Sequence, residues 1–410
     1  MKEKLISRVL KTAYEETPYF NNVINEIIED THDIAPELLC KLPVFDKQTI
    51  IKFGWENFVS IECYNSDQCK INKGIRIEKT SGTTGDPMTI LWRRDDYYSS
   101  TKIHWKYRYE KFNITPNSRI CVAGKNIPGN GHYYIDKNRL IISKKKLNDE
   151  TVWEIIKVIN DFQPEWFYMQ SSVLYTLVYV ASRKKVMFPK SIRYIEYIGE
   201  PLSGYYRDKI AKWIPVPTTD MYGCVETNGI AYECCYGKKH LLEENVKVEI
   251  IDLTGKNVEE GTPGFVCVTG LHNTAMPILR YRLNDLAYID TQTCCKCGNT
   301  SPIIELTAAR LPEYLLFDDL SIYGKARLFY PINSGLYLFA NDDYDILFNL
   351  KMNSLDDYDV LIRSCDWKIT DISSILQDIL IAYRLPSIRF SVKIVERIDF
   401  RIPVGIIRLS

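Results

Sequence analysis

Thr80-Ser-Gly-Thr-Thr-Gly-Asp-Pro87 is the most informative stretch of this chain. Six of its eight residues are Ser, Thr or Gly. Such a loop can crowd hydroxyls and backbone N–H groups around an anion, because glycine lets the backbone approach closely. The flanks Ile75-Arg-Ile-Glu78 and Met88-Thr-Ile-Leu-Trp92 read as short β-strands, so the octet joins strand to strand. It is not a Walker A loop, since it lacks the Gly-Lys-Ser/Thr ending and the helix that should follow. Taken alone, the octet is equally readable as a polar hairpin turn. Its company along the chain decides between the two.

A chain of 410 residues suggests two to three domains. Lys plus Arg number 52 and Asp plus Glu number 52, so charge gives no argument for nucleic acid or an anionic membrane as partner. The opening Met-Lys-Glu-Lys-Leu-Ile-Ser-Arg8 has no signal-peptide character, and no apolar run approaches the ~20 residues of a membrane span. The expectation is a cytoplasmic protein. Of twelve cysteines, Cys234, Cys235, Cys294, Cys295 and Cys297 fall in two tight clusters, the distribution of metal ligands. The others, Cys40, Cys121 and Cys267 among them, read as small buried hydrophobes.

Residues 1–60 carry helical periodicity, with Leu5, Val9, Leu10 and Ala13 on one face before a turn at Thr17-Pro18. Beyond the octet, apolar runs such as Arg119–Gly124 alternate with amphipathic segments at Thr151–Ile159 and Ser172–Ala181, which favours an α/β layered core. From Lys247 to Val268 the texture is β-rich, with a turn at Thr254-Gly255. The last hundred residues predict strands near Tyr344–Leu350, Tyr358–Ile362 and Ile388–Val395 and a helix at Asp371–Tyr383, a small α+β domain. The boundary is placed near Arg310.

Five landmarks accompany the octet: Tyr197-Ile-Gly-Glu-Pro-Leu202, Asp220-Met-Tyr-Gly-Cys-Val-Glu226, Ile278-Leu-Arg-Tyr-Arg-Leu-Asn-Asp285, the cysteine clusters, and Ala309-Arg310. In this order they resemble the adenylate-forming (AMP-binding) superfamily, and more closely its phenylacetate–CoA ligase and CapK-like branch. Thr12-Ala-Tyr-Glu-Glu-Thr-Pro-Tyr-Phe20 and Leu42-Pro-Val-Phe-Asp-Lys47 look like that branch's opening segments. The resemblance implies an α/β fold: a large multi-subdomain N-terminal adenylate-forming core of layered sheets over residues 1–310, and a small, mobile C-terminal α+β domain over 311–410.

The resemblance also implies roles. Thr80, Ser81, Gly82, Thr83, Thr84 and Gly85 would cradle the phosphates of ATP, and Tyr222, beside Gly223, would stack on adenine. Glu226 would hold Mg2+, a hard cation suited to carboxylate and phosphate oxygens. Asp285 would accept hydrogen bonds from both ribose hydroxyls; the competing reading is an ion pair with Arg280 or Arg282. Arg310 would contact the nucleotide from the hinge, and Glu200 would belong to a wall beside adenine and acyl group, with Tyr168–Ser172 lining an acyl pocket. Thr84, Glu226 and Arg310 would be the catalytic set. Cys234 or Cys235, His240, Cys295 and Cys297 supply three thiolates and one imidazole, which suits a closed tetrahedral structural Zn2+ site.

The implied activity is ATP-dependent conversion of a small carboxylic acid to its acyl-adenylate, then transfer to a thiol (CoA or a carrier protein) or to an amine, with a homodimer as the branch's common state. Several residues depart from the pattern. Gly405 precedes Ile406 where the superfamily carries a lysine, Asp86 stands where many relatives have lysine, and Arg282-Leu-Asn-Asp285 replaces Arg-Thr-Gly-Asp. Val225 stands for a hydroxyl residue, and Ala309 and Pro312-Glu313 alter the hinge. The competing expectation is therefore a nucleotide- or acyl-adenylate-binding protein that has lost adenylation.

Overall fold

The computed structural model describes residues 2–28, 34–65, 70–71, 74–80, 88–124, 127–129, 131–144, 149–200, 202, 204–308, 348–354, 357–362, 389–394 and 406–408. Residues 81–87 of the octet, Arg310 with the expected domain boundary, and the helix expected at Asp371–Tyr383 lie outside them. Contacts divide the chain into two compact units, Met1–Lys111 with Met221–Glu313, and Phe112–Asp220 with Tyr314–Ser410.

In the first unit, the helix Lys2–Glu16 buries Ile6, Val9, Leu10 and Ala13, the i, i+3, i+4, i+7 stripe of an amphipathic helix. The helix Pro18–Asn25 begins with proline at its first turn, where a missing N–H costs nothing. Together with the Leu42–Asp46 segment they build an aromatic knot, in which Phe45 lies 5.5 Å from both Phe20 and Phe58. Asp46 then starts the helix Lys47–Phe53 through a capping box with Thr49, whose N–H donates to Asp46 Oδ1 at 3.0 Å.

The hairpin expected around the octet is present. Ile75–Lys79 pairs antiparallel with Thr89–Arg93, with Lys79 opposite Thr89. Thr80 closes its mouth: its N–H donates to the Met88 carbonyl, and its hydroxyl oxygen accepts from the Met88 N–H, both at 2.9 Å.

The rest of this unit is an antiparallel sheet. Its strands run in the order Val246–Ile251, Gly264–Gly270, Tyr281–Asp290, Ile303–Ala308, Lys239–Leu241, Asn228–Glu233 and the end of Thr218–Cys224. Gly255 forms the expected turn, its N–H bonded to Asp252 O at 3.1 Å with φ +83°.

The second unit holds a parallel sheet ordered Tyr194–Ile198, Trp166–Met169, Ile120–Gly124, Arg139–Ser143, with Tyr133–Asp136 antiparallel at the edge. The amphipathic segments read from the sequence become the helices Asp149–Phe162 and Ser171–Lys184. The latter is buried almost all round, since Val173, Leu174, Leu177, Val178 and Ala181 join Ile155, Ile159, Phe167 and Ile195 in one core. Strands alternating with helices produce parallel pairing because a crossover returns the chain in the same direction. The described C-terminal residues form a four-stranded sheet ordered Arg389–Ile394, Asp357–Ile362, Phe348–Ser354, Ile406–Arg408. Of the first expected C-terminal strand, Tyr344–Leu350, residues 348–350 are described and lie in the strand Phe348–Ser354, which continues past Leu350. Ile406 lies inside a strand, paired parallel with Leu350.

One sequence expectation about environment comes out differently. Cys121 and Cys267 are buried as expected, but Cys40 is exposed, with Lys247 Nζ 3.7 Å from its sulfur. Among the described residues no helix is long and apolar enough to cross a membrane.

Gly223 offers a direct test of the packing. A Cβ built there would lie 2.5 Å from the Asn228 carbonyl oxygen, a backbone atom that cannot swing away. Gly223→Ala is expected to lower stability by about 1–3 kcal/mol in urea unfolding; an unchanged midpoint would contradict this close approach.

Candidate active site

Tyr222, Glu226 and Asp285 are brought together within the first unit by two irregularities and a curl. The strand Thr218–Cys224 pairs with Asn228–Glu233, and its register shifts between Tyr222 and Gly223. Such a bulge re-aims the side chains beside it. Asn228, at φ +64°, completes the turn that carries Glu226; asparagine tolerates this left-handed conformation better than most residues. On the strand Tyr281–Asp290, Arg282 pairs with Cys267 and Leu286 with Phe265, so Leu283, Asn284 and Asp285 face Val266 alone. Asp285 therefore sits on a bulge, released from the regular ladder.

The Tyr222 hydroxyl donates to Asp285 Oδ2 at 2.8 Å. Three strands separate their own strands in the sheet, so the two side chains meet because the sheet curls on itself. The ion-pair reading of Asp285 gives way here. Among the described residues, Arg280 pairs with Glu249 (3.3 Å) and Arg282 with Asp46 (2.6 Å).

Glu226 is 7% exposed, beside Tyr281 and Cys224, whose sulfur lies 3.2 Å from Thr227 Oγ1. Burial, reinforced by the Glu226 charge, pushes both of these groups well above their ordinary pKa, so both stay protonated. A carboxylate among neutral neighbours suits a hard divalent cation whose other positions are filled by water and phosphate oxygens. Neither Tyr281 nor Cys224 was singled out from the sequence. A tyrosine embedded in an Arg-Tyr-Arg run reads as ordinary core until the fold places it beside the glutamate.

Glu200, in the second unit, has a structural task that the sequence did not reveal. Its Oε1 accepts from the Ser172 N–H at 2.6 Å and the Ser171 hydroxyl at 2.8 Å, and its Oε2 accepts from the Ser172 hydroxyl at 2.9 Å. It thus supplies an anion at the N-terminus of the helix Ser171–Lys184, where the orphan N–H groups and the helix dipole favour one. Gly199 makes this possible by adopting φ +74°, with Gln170 Nε2 3.3 Å from where a Cβ would be. The carboxylate anchors the 198–202 loop to the helix.

Geometry groups Cys234, not Cys235, with the other candidate ligands. Cys234, His240, Cys295 and Cys297 bring their ligand atoms within 4.8 Å of one another, whereas Cys235 is exposed. Cys234 Sγ lies 3.7 Å from Cys295 Sγ, and Cys297 Sγ lies 3.3 Å from His240 Nε2. Metal–sulfur bonds of ~2.3 Å and metal–nitrogen bonds of ~2.0 Å in a tetrahedron demand edges of roughly 3.8 and 3.5 Å. Each sulfur side is a turn that donates a backbone N–H back to a thiol two residues earlier, Tyr236 to Cys234 and Asn299 to Cys297, both at 3.4 Å. His240 Nδ1 lies 2.9 Å from Ser301 O, which leaves Nε2 as the ligand nitrogen. The Cys297 N–H helps hold the Cys295 thiol down at about 7, while burial and the neighbouring thiols push Cys297 up to about 11. A dication among them would favour ionisation of all three.

Thr80 aside, the phosphate-cradle residues Ser81, Gly82, Thr83, Thr84 and Gly85 lie outside the described residues, as does Arg310.

No family model matches the chain. Over 337 residues it is 23% identical to the phenylacetate-coenzyme A ligase of Thermus thermophilus, covering 79% of this chain and 72% of that protein. Over 232 residues it is 26% identical to the protein CapK of Staphylococcus aureus, covering 54% of this chain and 50% of that protein. The fold matches the crystal structure of a 2-hydroxyisobutyryl-CoA ligase in its postadenylation state at a TM-score of 0.71, 16% identity, 99% of this chain and 88% of that one. In sequence the chain is similar to phenylacetate–CoA ligases, and in fold to an adenylate-forming CoA ligase.

Burial raises the Glu200 carboxyl above its ordinary value of 4.5, against the pull of its three serine donors and of Lys144. The folded chain therefore binds this proton more tightly than the unfolded one. The stabilisation is full at low pH and is lost as pH rises from the ordinary value through the raised one. In urea unfolding at about pH 4 and about pH 7, the stability of the wild type relative to Glu200→Gln is expected to fall as pH rises. A pH-independent difference would count against it.

Proposed function

We propose that this protein is an ATP-dependent acid–CoA ligase, activating a small carboxylic acid as its acyl-adenylate and passing the acyl group to the thiol of CoA. The observation that carries this reading is the joined pair Tyr222–Asp285 with Glu226 on the adjoining turn. It presents an aromatic face, a ribose acceptor and a cation-binding carboxylate from one curled sheet. Further support comes from the ligase named among the relatives and from the ligase fold.

In this reading the Tyr222 ring covers the adenine, and Asp285 exchanges its bond from Tyr222 for bonds from the ribose hydroxyls. Ser81 to Gly85 and Thr80 donate to the phosphates. Glu226, with Thr84 and Arg310, holds the charge where it develops, Mg2+ at Glu226 neutralising phosphate oxygens when bound. The substrate carboxylate oxygen attacks the α-phosphorus as the bond to the bridging oxygen of pyrophosphate breaks, and pyrophosphate departs. The CoA thiolate then attacks the acyl carbon, and AMP leaves. Residues 1–310 and 311–410 act as core and mobile domain in the same proposal. Cys234, His240, Cys295 and Cys297 would hold a structural Zn2+, stapling the 234–240 and 295–297 segments.

A second reading has one specific observation in its favour: Ile406 occupies a strand where the superfamily carries a lysine. An apolar side chain cannot offset charge on the α-phosphate, which would leave a binding protein without turnover. Pyrophosphate exchange over a panel of carboxylic acids separates the readings. Exchange with one acid, abolished in Asp285→Ala, is expected; ATP binding without exchange for any acid would favour the second. Product analysis with CoA, a carrier protein and amines then identifies the acceptor.

Elemental analysis is expected to find one zinc per chain, retained in Cys235→Ser and lost in Cys234→Ser. Retention in both would refute the ligand set.

A further inference from the structure

We propose that Asn245 is a positioning residue for the Glu226 carboxylate, and through it for the cation that accompanies the nucleotide. This rests on the reading of Glu226 as the cation-binding carboxylate. Glu226 is the middle residue of the turn 225–227, which joins the paired residues Cys224 and Asn228. Buried carbonyls around such a turn need donors from elsewhere, because the strand ladder is interrupted there. Asn245 supplies them. It is 2% exposed, and its Nδ2 donates to Thr227 O at 2.9 Å and to Gly229 O at 2.6 Å. Two carbonyl acceptors use both protons of the amide nitrogen and fix which way the amide is turned, since its oxygen could not face them.

One side chain thus grips the carbonyls of the residues just before and just after Asn228, the left-handed residue at φ +64° that closes the turn. Asn245 is itself anchored, with its N–H on Leu242 O at 2.8 Å and its carbonyl on the Leu271 N–H at 3.0 Å. Other contacts close on the same turn. Asn228 Nδ2 donates to Ser100 Oγ at 2.5 Å, on the helix Arg94–Phe112, and Gly229 leaves no room for a side chain against the His104 ring of that helix. Of these contacts, those of Asn245 are the ones made to backbone carbonyls. Its loss would leave two buried acceptors unpaired and re-aim the chain that carries Glu226. Mg2+ demands near-ideal octahedral geometry, whereas Ca2+ accepts a looser arrangement, so a displaced carboxylate penalises Mg2+ more.

The test is equilibrium binding of ATP to the full chain at increasing Mg2+, repeated with Ca2+. Asn245→Ala removes both donors, and Asn245→Leu removes them while filling the space. Both variants are expected to raise the Mg2+ half-point by about 10-fold and the Ca2+ half-point by less. ATP binding without added cation should stay at the wild-type level. A shift in Asn245→Ala alone would trace to the emptied space and overturn the inference. So would an equal shift for the two cations, a matching loss of cation-free ATP binding, or a lowered melting temperature with both half-points unchanged. Glu226→Gln is the reference, expected to raise both half-points. If it does and the Asn245 variants move neither, this inference alone falls. If Glu226→Gln moves neither, the cation does not sit on Glu226, and both the assignment and this inference fall.

Discussion

A buried guanidinium holds the first unit together at the place where its chemistry is assembled. Arg280 is 7% exposed, and it bonds Leu42 O, Gly255 O and Glu249 from three separate segments. Its backbone is equally committed, with its N–H on Thr269 Oγ1 and its carbonyl on the Phe45 N–H, at φ +52°. A charge in such surroundings is tolerated only while its partners stay in place; stripping one from a buried pair commonly costs about 3–5 kcal/mol. The strand that starts one residue later is thus anchored before it reaches Tyr281, Arg282 and Asp285. A conformation away from the usual helical and extended regions, paid for by neighbouring contacts, is what allows the chain to turn into that strand.

From this anchor the geometry of the site follows by short steps. A register shift beside Tyr222 and a bulge at Asp285 break the regular ladders, and the curl of an antiparallel sheet brings the two side chains within hydrogen-bonding distance. Glu226 rides the turn after Tyr222. In the second unit the corresponding device is electrostatic, Glu200 closing the N-terminus of the helix Ser171–Lys184. Both arrangements place carboxylates where backbone or hydroxyl donors satisfy them, as buried charge requires.

Much of this was legible in the residues. The Ile6–Ala13 stripe, the hairpin flanking the octet, the amphipathic helices and the β-rich run near Lys247 all appear as read, because local periodicity reports which face is buried. Other features were not. Arg280 and Arg282 beside Asp285 suggested an ion pair, yet each guanidinium is taken by a carboxylate from a segment distant in sequence, Glu249 and Asp46. Cys234 and Cys235 both stayed open in the sequence, and only the direction of each side chain at the strand end separates the thiol that meets the cluster from the exposed one. Cys40 was taken for core because its type is usually buried, and nothing in its neighbours signalled otherwise.

The sequence by itself determined the order of the motifs, the resemblance they carry and the donor types available to a nucleotide and a metal, because these depend on residue identity and spacing alone. It also determined that Ile406 cannot do the work of a lysine. Tertiary structure alone decided which donors meet: Tyr222 with Asp285, and Cys234 rather than Cys235 with His240. The reason is physical. Each of these contacts joins residues brought close by sheet curvature, bulges and turn direction, and those are set by the packing of the whole sheet rather than by any local stretch of chain.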